Sequence, residues 1–411
     1  MAIPRVFSPT PLFLLPSRTA VASSHERLLY PFFDQPGQGT PLFPKGRSCL
    51  AFILSLFKSM RPGRDEVIIP AYNAQSLAFA TIFNGLKIRL VDIEENTFFP
   101  SVESYRNALS SRTLAVIFPY NFGIFPELSE IREIHRLFLE AQVLWVDDFA
   151  TSVPTGEYAD YFNNNSPCLF FSFGKTKITT LMDGGYAFFS QGHPFFDDIS
   201  PALIKAVSDI ECNSQPFSLN IDRLFTNFAY HIYTSRMGFS LLSLLKLAQK
   251  DRMPTTTQIP YFVLSPGWEQ TLKNILDENF WPNVEGRLHV AQAYHRYFAQ
   301  FPDASCYLFP TTKTQVGSRF PILFSNKEDR NQAQLHFLKN NVGVSTGHQT
   351  WLGAVNLLKP YLSDYSETQF PKSISFQNRL LTLPLHCKVT ENDVGVITRL
   401  AANAATTYSQ P

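Results

Sequence analysis

Apolar segments of two kinds alternate along the first half of the chain. Runs such as DEVIIPAY, TLAVIFPY and VLWVDDF are apolar throughout, whereas SCLAFILSLFKSM and LSEIREIHRLFLEA repeat their apolar residues at helical spacing. Buried strands that are separated by helices form a mostly parallel sheet with helices on both faces. In such a sheet, ligands bind beyond the carboxyl ends of the strands. The pattern therefore predicts an α/β fold with functional residues directly after the strands.

The alternation stops at an aromatic, helix-prone segment over residues 193–256, which we interpret as an insertion. Its apolar and basic faces could touch a membrane, but such helices more often cover a core or a dimer interface, so we expect no membrane contact. A second αβ unit follows, with SRFPILFS, VGVSTG and LLTLPLH as strands. The predicted domains are a large one over residues 41–275 and a small one over residues 276–411.

Residues 1–40 begin with a short apolar patch that resembles a signal peptide. Four prolines interrupt this patch, however, and a secretory signal normally contains an unbroken helical run. We therefore expect an extended arm that lies on the protein surface or on a second subunit.

Composition narrows the function classes. The 411 residues are 45% hydrophobic and 17% charged with a formal net charge of +1, which argues against a nucleic-acid surface. The five cysteines lack the paired spacing of a zinc site, so we expect free thiols in a reducing compartment and no metal. No apolar stretch is long enough to cross a bilayer, and the predicted location is cytoplasmic.

Two polar segments stand where a helix begins and where a strand ends. KGRSCLAF places Gly46, Arg47 and Ser48 at a helix start, whose free N–H groups and dipole suit a phosphate, although a serine there is more often a plain N-cap. VLWVDDFATS ends a strand with Asp147 and Asp148. Such a pair can be a metal-ligand pair, a helix cap or a carboxylate that faces a cationic ligand.

A third segment, SFGKTKITTLMDGG, places Lys175 and Lys177 after a later strand. Lysines in loops are usually solvated, but in a desolvated pocket the pKa of lysine falls and the amine can form a Schiff base. A phosphate cradle, an acid after a central strand and a lysine after a later one are the three points needed to hold pyridoxal phosphate (PLP).

Over most of its length, from Gly46 to the final helix, the chain resembles the DegT/DnrJ/StrS family of sugar aminotransferases. The matching motifs are GRSCLAF, DEVIIPAYNAQSLAFATIFNGLKIRLVDIE, AVIFPYNFG, VDDFATS and SFGKTKITTLMDGG. This resemblance implies PLP fold type I, with a mostly parallel sheet between helices in the large domain and a smaller C-terminal α+β domain. It also implies a PLP cofactor and a homodimer with its sites at the subunit interface.

The resemblance assigns roles to individual residues. The register counted from Ser172 and back from the Gly-Gly pair makes Lys177 the Schiff-base lysine, while Lys175 falls on a linker position, solvated or beside the phosphate. Asp148 matches the acid that pairs with the pyridine nitrogen, and Ser172 matches a phosphate-contacting hydroxyl. The residues that fall at the phosphate end of the first helix are Gly46, Arg47 and Ser48.

Four further positions follow from the same comparison. Ala74 stands where the family usually has an aromatic residue that stacks on the pyridine ring, and Thr151 where it often has Gln or His near the phenolic oxygen. His348 and Trp351 are candidate substrate contacts, with a loop histidine and a packing tryptophan as equally good interpretations.

These assignments predict an aminotransferase that moves an amino group from an amino acid, plausibly glutamate, to a keto-sugar, most plausibly a nucleotide-linked one. A sugar dehydratase of the same family is one alternative, but it typically has histidine in place of the lysine, so Lys177 argues against it. A family member that kept the fold as a binding or regulatory module is the other, since Ala74 offers no ring to stack.

Overall fold

The computed structural model describes residues 2–4, 37–181, 183–211, 229–232, 234–237, 239–240, 258–264, 266–301, 306–308, 316–348 and 350–406. Most of the predicted N-terminal arm and a large part of the predicted insertion lie outside these residues. None of the described helices is both long and apolar enough to span a membrane.

The first half of the chain supplies one large sheet. Its strands are β1 (Gly37–Gly39), β2 (Glu66–Pro70), β3 (Lys87–Val91), β4 (Thr113–Pro119), β5 (Leu144–Asp148), β7 (Leu169–Ser172) and β8 (Gly185–Ser190), with β6 (Ser152–Val153) outside the sheet. The seven strands lie in the order β1-β8-β7-β5-β4-β2-β3. From β3 to β7 neighbouring strands are parallel, and β8 and β1 add two antiparallel pairings at one edge. The predicted α/β fold is confirmed.

Helices connect and cover these strands. They are α1 (Gly46–Met60), α2 (Gln75–Phe83), α3 (Val102–Ala108), α4 (Leu128–Glu140), α5 (Glu157–Asn165) and α6 (Phe196–Glu211). In α4 the buried side chains follow helical spacing, because only one face of the helix packs on the sheet. Every residue of β4 is buried, which explains why this strand is apolar throughout.

The C-terminal part forms a smaller α+β unit. Its elements are α7 (Pro266–Phe298), β9 (Cys306–Leu308), β10 (Val316–Gly317), β11 (Phe320–Phe324), α8 (Lys327–Lys339), α9 (Pro371–Arg379), β12 (Leu380–Leu383) and α10 (Glu391–Thr406). Strands β12, β11 and β9 form an antiparallel sheet, and β10 pairs with β6 of the large domain. Short 3-10 helices occur at Asn121–Gly123, Leu352–Ala354, Lys359–Tyr361 and Glu367–Gln369.

The strand predicted for VGVSTG is wrong. Val342 makes a single parallel bridge with Ile3, and Ser345 makes a single antiparallel bridge with Thr382. At Gly347 the backbone takes a φ of +71°, which ends the extended path. The apolar residues of this segment are buried because they cross between elements, not because they form a ladder.

The 33-residue helix α7 belongs to both hydrophobic cores. Its first half, including Leu276 and Phe280, packs in the large core, and its second half, including Val290 and Tyr294, packs in the small one. The predicted domain boundary between residues 275 and 276 falls inside this helix.

The first described residues of the chain lie on the small domain. Ile3 is buried, its N–H donates to the carbonyl of Asn341 at 2.9 Å, and its carbonyl accepts from the N–H of Gly343 at 2.8 Å. His386 Nε2 lies 2.9 Å from the carbonyl oxygen of Pro4. This end of the predicted arm therefore packs against its own chain.

Candidate active site

A cavity of about 340 Å³ opens at the carboxyl edge of the large sheet. Its walls come from the ends of four parallel strands, because Asn73 follows β2, Asn121 follows β4, Asp148 ends β5 and Ser172 ends β7. The start of α1 and the segment before β8 close the remaining sides. This is the edge at which an open α/β sheet binds its ligands. The cavity therefore lies where the sequence pattern predicts a functional site.

The start of α1 forms one end of the cavity. Gly46 and Arg47 line it, and Ser48 is fully buried behind them. Among the residues that the structure describes, Ser48 Oγ and Arg47 Nε are buried without a hydrogen-bond partner. Buried polar atoms are normally paired, so unpaired ones beside the free N–H groups of a helix start indicate an absent anionic ligand.

Two glycines make room for this end of the cavity. A Cβ atom on Gly46 would lie 2.8 Å from Ser172 Oγ, and a Cβ atom on Gly185 would lie 2.6 Å from the Cα atom of Gly46. Any side chain at either position would therefore displace α1 from β7 and β8. The three predicted residues Gly46, Arg47 and Ser172 are together in the cavity wall.

Asp148 lines the cavity at the end of β5. It is buried, and its Oδ1 accepts a hydrogen bond of 2.8 Å from the N–H of Ala150. Burial raises the pKa of Asp148 to about 6, although the Ala150 N–H and the nearby Lys177 ammonium both lower it. A carboxylate held in this way suits a protonated ring nitrogen, which would provide the cation that it lacks.

Lys177 lines the cavity from the turn after β7, where its N–H donates to the carbonyl of Gly174 at 3.0 Å. Loss of solvent lowers the pKa of Lys177 to about 8, against the opposing charge of Asp148, and Arg319 lowers it further. Its side chain keeps some accessible surface because one side faces the cavity, while packed atoms surround the rest. A neutral amine is therefore accessible near neutral pH, as a Schiff-base lysine requires.

The adjacent Asp147 points to the other side of β5. Its carboxylate lies 2.9 Å from Tyr120 Oη, 3.2 Å from His135 Nε2 and 3.0 Å from Trp145 Nε1, and it also accepts a hydrogen bond from Ser166 Oγ. Successive residues of a strand face opposite sides of the sheet. Asp147 is therefore saturated by packing partners behind the sheet and cannot share a ligand with Asp148.

Thr151 and Ala74 both line the cavity. Thr151 Oγ1 accepts a 3.1 Å hydrogen bond from the N–H of Phe122, so the hydroxyl helps to fix the loop after β4. Ala74 precedes α2, and its N–H donates to Oδ1 of Asn73 at 2.7 Å. The position compared with a stacking aromatic ring therefore presents only a methyl group, and its role remains a prediction.

His348 and Trp351 occupy different places. His348 lines the cavity, its Nε2 donates to Oδ1 of Asn121 at 3.2 Å, and burial lowers its pKa to about 3, with Lys177 and Arg319 acting in the same direction. Its imidazole is therefore neutral. Trp351 is 3% exposed, packs against Phe370 in the large core and is not part of the cavity lining. The structure thus indicates that Trp351 packs in the core and does not line the cavity.

Sequence reasoning missed several lining residues, among them the polar or charged Lys45, Asn73, Asn121 and Asp183. In the described part of the chain, Nδ2 of Asn73 and of Asn121 is buried without a hydrogen-bond partner. Both asparagines lie in the short segments that follow the ends of parallel strands, and this position could have identified them. Lys45 and Asp183 lie within the quoted segments KGRSCLAF and SFGKTKITTLMDGG and form a 3.0 Å ion pair with each other.

An anion cradle, a buried acid and a desolvated lysine at the carboxyl edge of a mostly parallel sheet define the class of PLP enzymes with fold type I. The amino-acid sequence also matches the model of one protein family. Residues 46–193 and 278–401 match the model of the DegT/DnrJ/EryC1/StrS aminotransferase family. The chain belongs to this family, and the predicted family and enzyme class are confirmed.

Individual proteins resemble this chain over very different lengths. It is 29% identical over 140 residues to the uncharacterized protein MJ1066 of Methanocaldococcus jannaschii, a match that spans 34% of this chain and 35% of that relative. The chain thus matches about a third of the length of this curated relative.

Two solved structures share the fold along nearly the whole chain. Spr1654 of Streptococcus pneumoniae, proposed to be a sugar aminotransferase, superposes in its PMP form with a TM-score of 0.71 at 18% identity, covering 97% of this chain and 99% of that one. PseC of Helicobacter pylori, an aminotransferase involved in the biosynthesis of pseudoaminic acid, superposes with a TM-score of 0.69 at 13% identity, covering 95% and 94%. At such identities the likeness supports the fold alone.

Proposed function

We propose that the protein is a PLP-dependent aminotransferase that transfers an amino group from an amino acid, with glutamate as the expected donor, to a keto-sugar that carries a nucleotide. One observation carries this proposal. The amine of Lys177, whose pKa falls to about 8, shares a cavity with the buried Asp148 and with Arg47 at the start of α1, and Ser48 is buried behind this helix start. Ser48 Oγ and Arg47 Nε have no hydrogen-bond partner among the described residues. The cavity thus offers a nucleophile, a partner for a cationic ring and an anion cradle.

Each of these groups has a task toward the cofactor. The start of α1 with Arg47 and Ser48, together with Ser172, would bind the phosphate, and the Asp148 carboxylate would keep a proton on the pyridine nitrogen above a pH of about 6. The amine of Lys177 would hold the cofactor at its aldehyde end. Bound PLP supplies an electron sink that stabilises negative charge on the carbon that loses its proton.

Lys177 also moves the proton once its amine is displaced. A pKa of about 8 is close to the pH at which general bases work best, so the amine can take a proton from the donor and return it to the product. His348 is neutral and anchored on Asn121, and it faces the same space as a hydrogen-bonding group for the substrate.

The finer assignments rest on the comparisons and on the family. The sugar acceptor is supported by the description of Spr1654, which is proposed to be a sugar aminotransferase. A homodimer and a cytoplasmic location are expected from the family. Binding of the cofactor by a catalytically impaired module is the rival proposal, and Ala74 in the cavity wall is the observation that favours it.

An absorption spectrum tests the first half-reaction. Purified protein with added PLP should show an absorption band near the visible edge that shifts when glutamate is added, and Lys177→Ala should lose the band. Lys175→Ala is the matched control, because Lys175 is exposed and outside the cavity lining. A wild-type protein that stays colourless with PLP contradicts the aminotransferase. A coloured protein whose band never responds to any amino acid supports the module instead.

A further inference from the structure

An ion pair between two residues of the cavity lining lies beside the start of α1. Lys45 Nζ lies 3.0 Å from Asp183 Oδ1, and both residues line the cavity. Lys45 directly precedes Gly46, the first residue of α1, and Asp183 precedes the glycine pair that leads into β8. The two side chains are 39% and 43% exposed, so the pair is accessible from solvent.

The charges at this helix start are the reverse of what an isolated helix prefers. The amino end of a helix is partially positive, and acidic residues in the first turn normally offset it. Here α1 has no acidic residue in its first turn, and its start carries the cations of Lys45 and Arg47. Two cations at the positive end of a helix are repelled by each other and by the helix dipole. An anion that lies between them offsets this repulsion.

Asp183 supplies only part of the missing negative charge. Its carboxylate is the charge that raises the pKa of Arg47 against the effect of burial, and it is also paired with Lys45. One carboxylate thus offsets only part of the positive charge of two cations and a helix dipole. Arg47 Nε and Ser48 Oγ lie at the same helix start and are buried without a hydrogen-bond partner in the described part of the chain, so neither atom is hydrogen-bonded to Asp183. A dianion would satisfy all of them.

We propose that Lys45 is a direct ligand of the cofactor phosphate, and that Asp183 holds its ammonium in place until the phosphate arrives. This inference rests on the proposed function, because it names a further residue of the same site. Partly exposed ion pairs contribute little stability, so the ammonium can leave Asp183 at small cost. A phosphate oxygen then replaces the carboxylate oxygen, which makes a charge-assisted hydrogen bond to a dianion.

Comparison of PLP with pyridoxal isolates this role. Pyridoxal has the same ring and aldehyde but no phosphate, so a phosphate ligand contributes to the binding of PLP alone. Dissociation constants for both compounds can be measured by absorption titration of wild type, Lys45→Met and Asp183→Asn. Lys175→Met is the control for a general loss of positive charge, because Lys175 is exposed outside the cavity lining.

Lys45→Met should weaken PLP binding by about tenfold and leave pyridoxal binding unchanged, since one charge-assisted contact to the phosphate is lost. Asp183→Asn should strengthen PLP binding severalfold, because it frees Lys45 and removes a competing negative charge. Lys175→Met should change neither. Thermal melting of each variant without cofactor separates these effects from a loss of folding.

The outcomes are distinct. If Lys45→Met weakens PLP and pyridoxal equally, or weakens neither, while wild type binds PLP, the assignment of Lys45 is overturned and the aminotransferase stands. If Asp183→Asn weakens PLP binding, the placeholder role of Asp183 is overturned. If wild type binds neither compound, the proposed function fails and the assignment of Lys45 fails with it.

Discussion

The pKa of Lys177 makes a quantitative prediction for the rate of cofactor capture. Only the neutral amine attacks the PLP aldehyde, so the rate should follow the neutral fraction of this lysine. With the pKa at about 8 instead of the ordinary 10.5, about one tenth of the amines are neutral at pH 7, against roughly one in three thousand. At pH 7 the neutral fraction of Lys177 is therefore roughly 300 times that of an ordinary lysine.

Rapid mixing with PLP at a series of pH values measures this rate directly. The second-order rate should rise with pH and level off above a midpoint of about 8. PLP itself also titrates in this pH range. A parallel series of rates with N-acetyl-lysine methylamide corrects for this pH dependence. A corrected midpoint close to 10.5, or a rate that does not change with pH, would refute the desolvation argument.

Two variants test the direction in which each neighbouring charge shifts the pKa of Lys177. Asp148 raises the pKa of Lys177 and Arg319 lowers it, so Asp148→Asn should move the midpoint below 8 and Arg319→Gln should move it above 8. Shifts in the same direction for both variants would mean that structural change, and not charge, sets the midpoint.

Three further substitutions test the packing around the site, each by urea unfolding of the variant. Asp147→Asn should lower the free energy of unfolding by about 3 kcal/mol, because it disturbs a buried carboxylate that accepts several hydrogen bonds; an unchanged value contradicts this. Tyr72→Phe should cost about 1 kcal/mol by removing the 3.1 Å acceptor for the N–H of His348, and a stabilised variant would disprove it. Gly317→Ala should unfold at lower urea concentration than either, since its Cβ atom would lie 1.9 Å from the carbonyl oxygen of Phe122; native-like stability would contradict the clash.

The parts of the fold that sequence predicts well are those that local pattern determines. The buried runs of β4 and β5 and the helical spacing of α4 are local signals, and the end of a parallel strand locates the ligand edge. Asp148, Ser172 and Lys177 follow from this rule together with the family motifs. Lys45 could not be found in this way, because its importance depends on Asp183, which is 138 residues away.

Other features depend on packing that no local pattern contains. The segment VGVSTG is apolar, but Val342 pairs with Ile3 from the far end of the chain instead of with a neighbouring strand. Proline removes a backbone hydrogen bond from a helix and often ends it. Helix α7 nevertheless continues through Pro282, because Phe280 and Val284 on both sides of the proline pack in the large core.

The shared helix α7 also limits how the two cores can move relative to each other. Pro282 lies in the part that packs on the large core, and a Cβ atom on Gly286 would lie 2.8 Å from Cβ of Cys387, which shows how closely the next turn is clamped to the small domain. A change in the angle between the domains must therefore be absorbed over about one helical turn, between Pro282 and Gly286. Proline at one end has no N–H to donate, so this turn is held by one helical hydrogen bond fewer than a turn without proline.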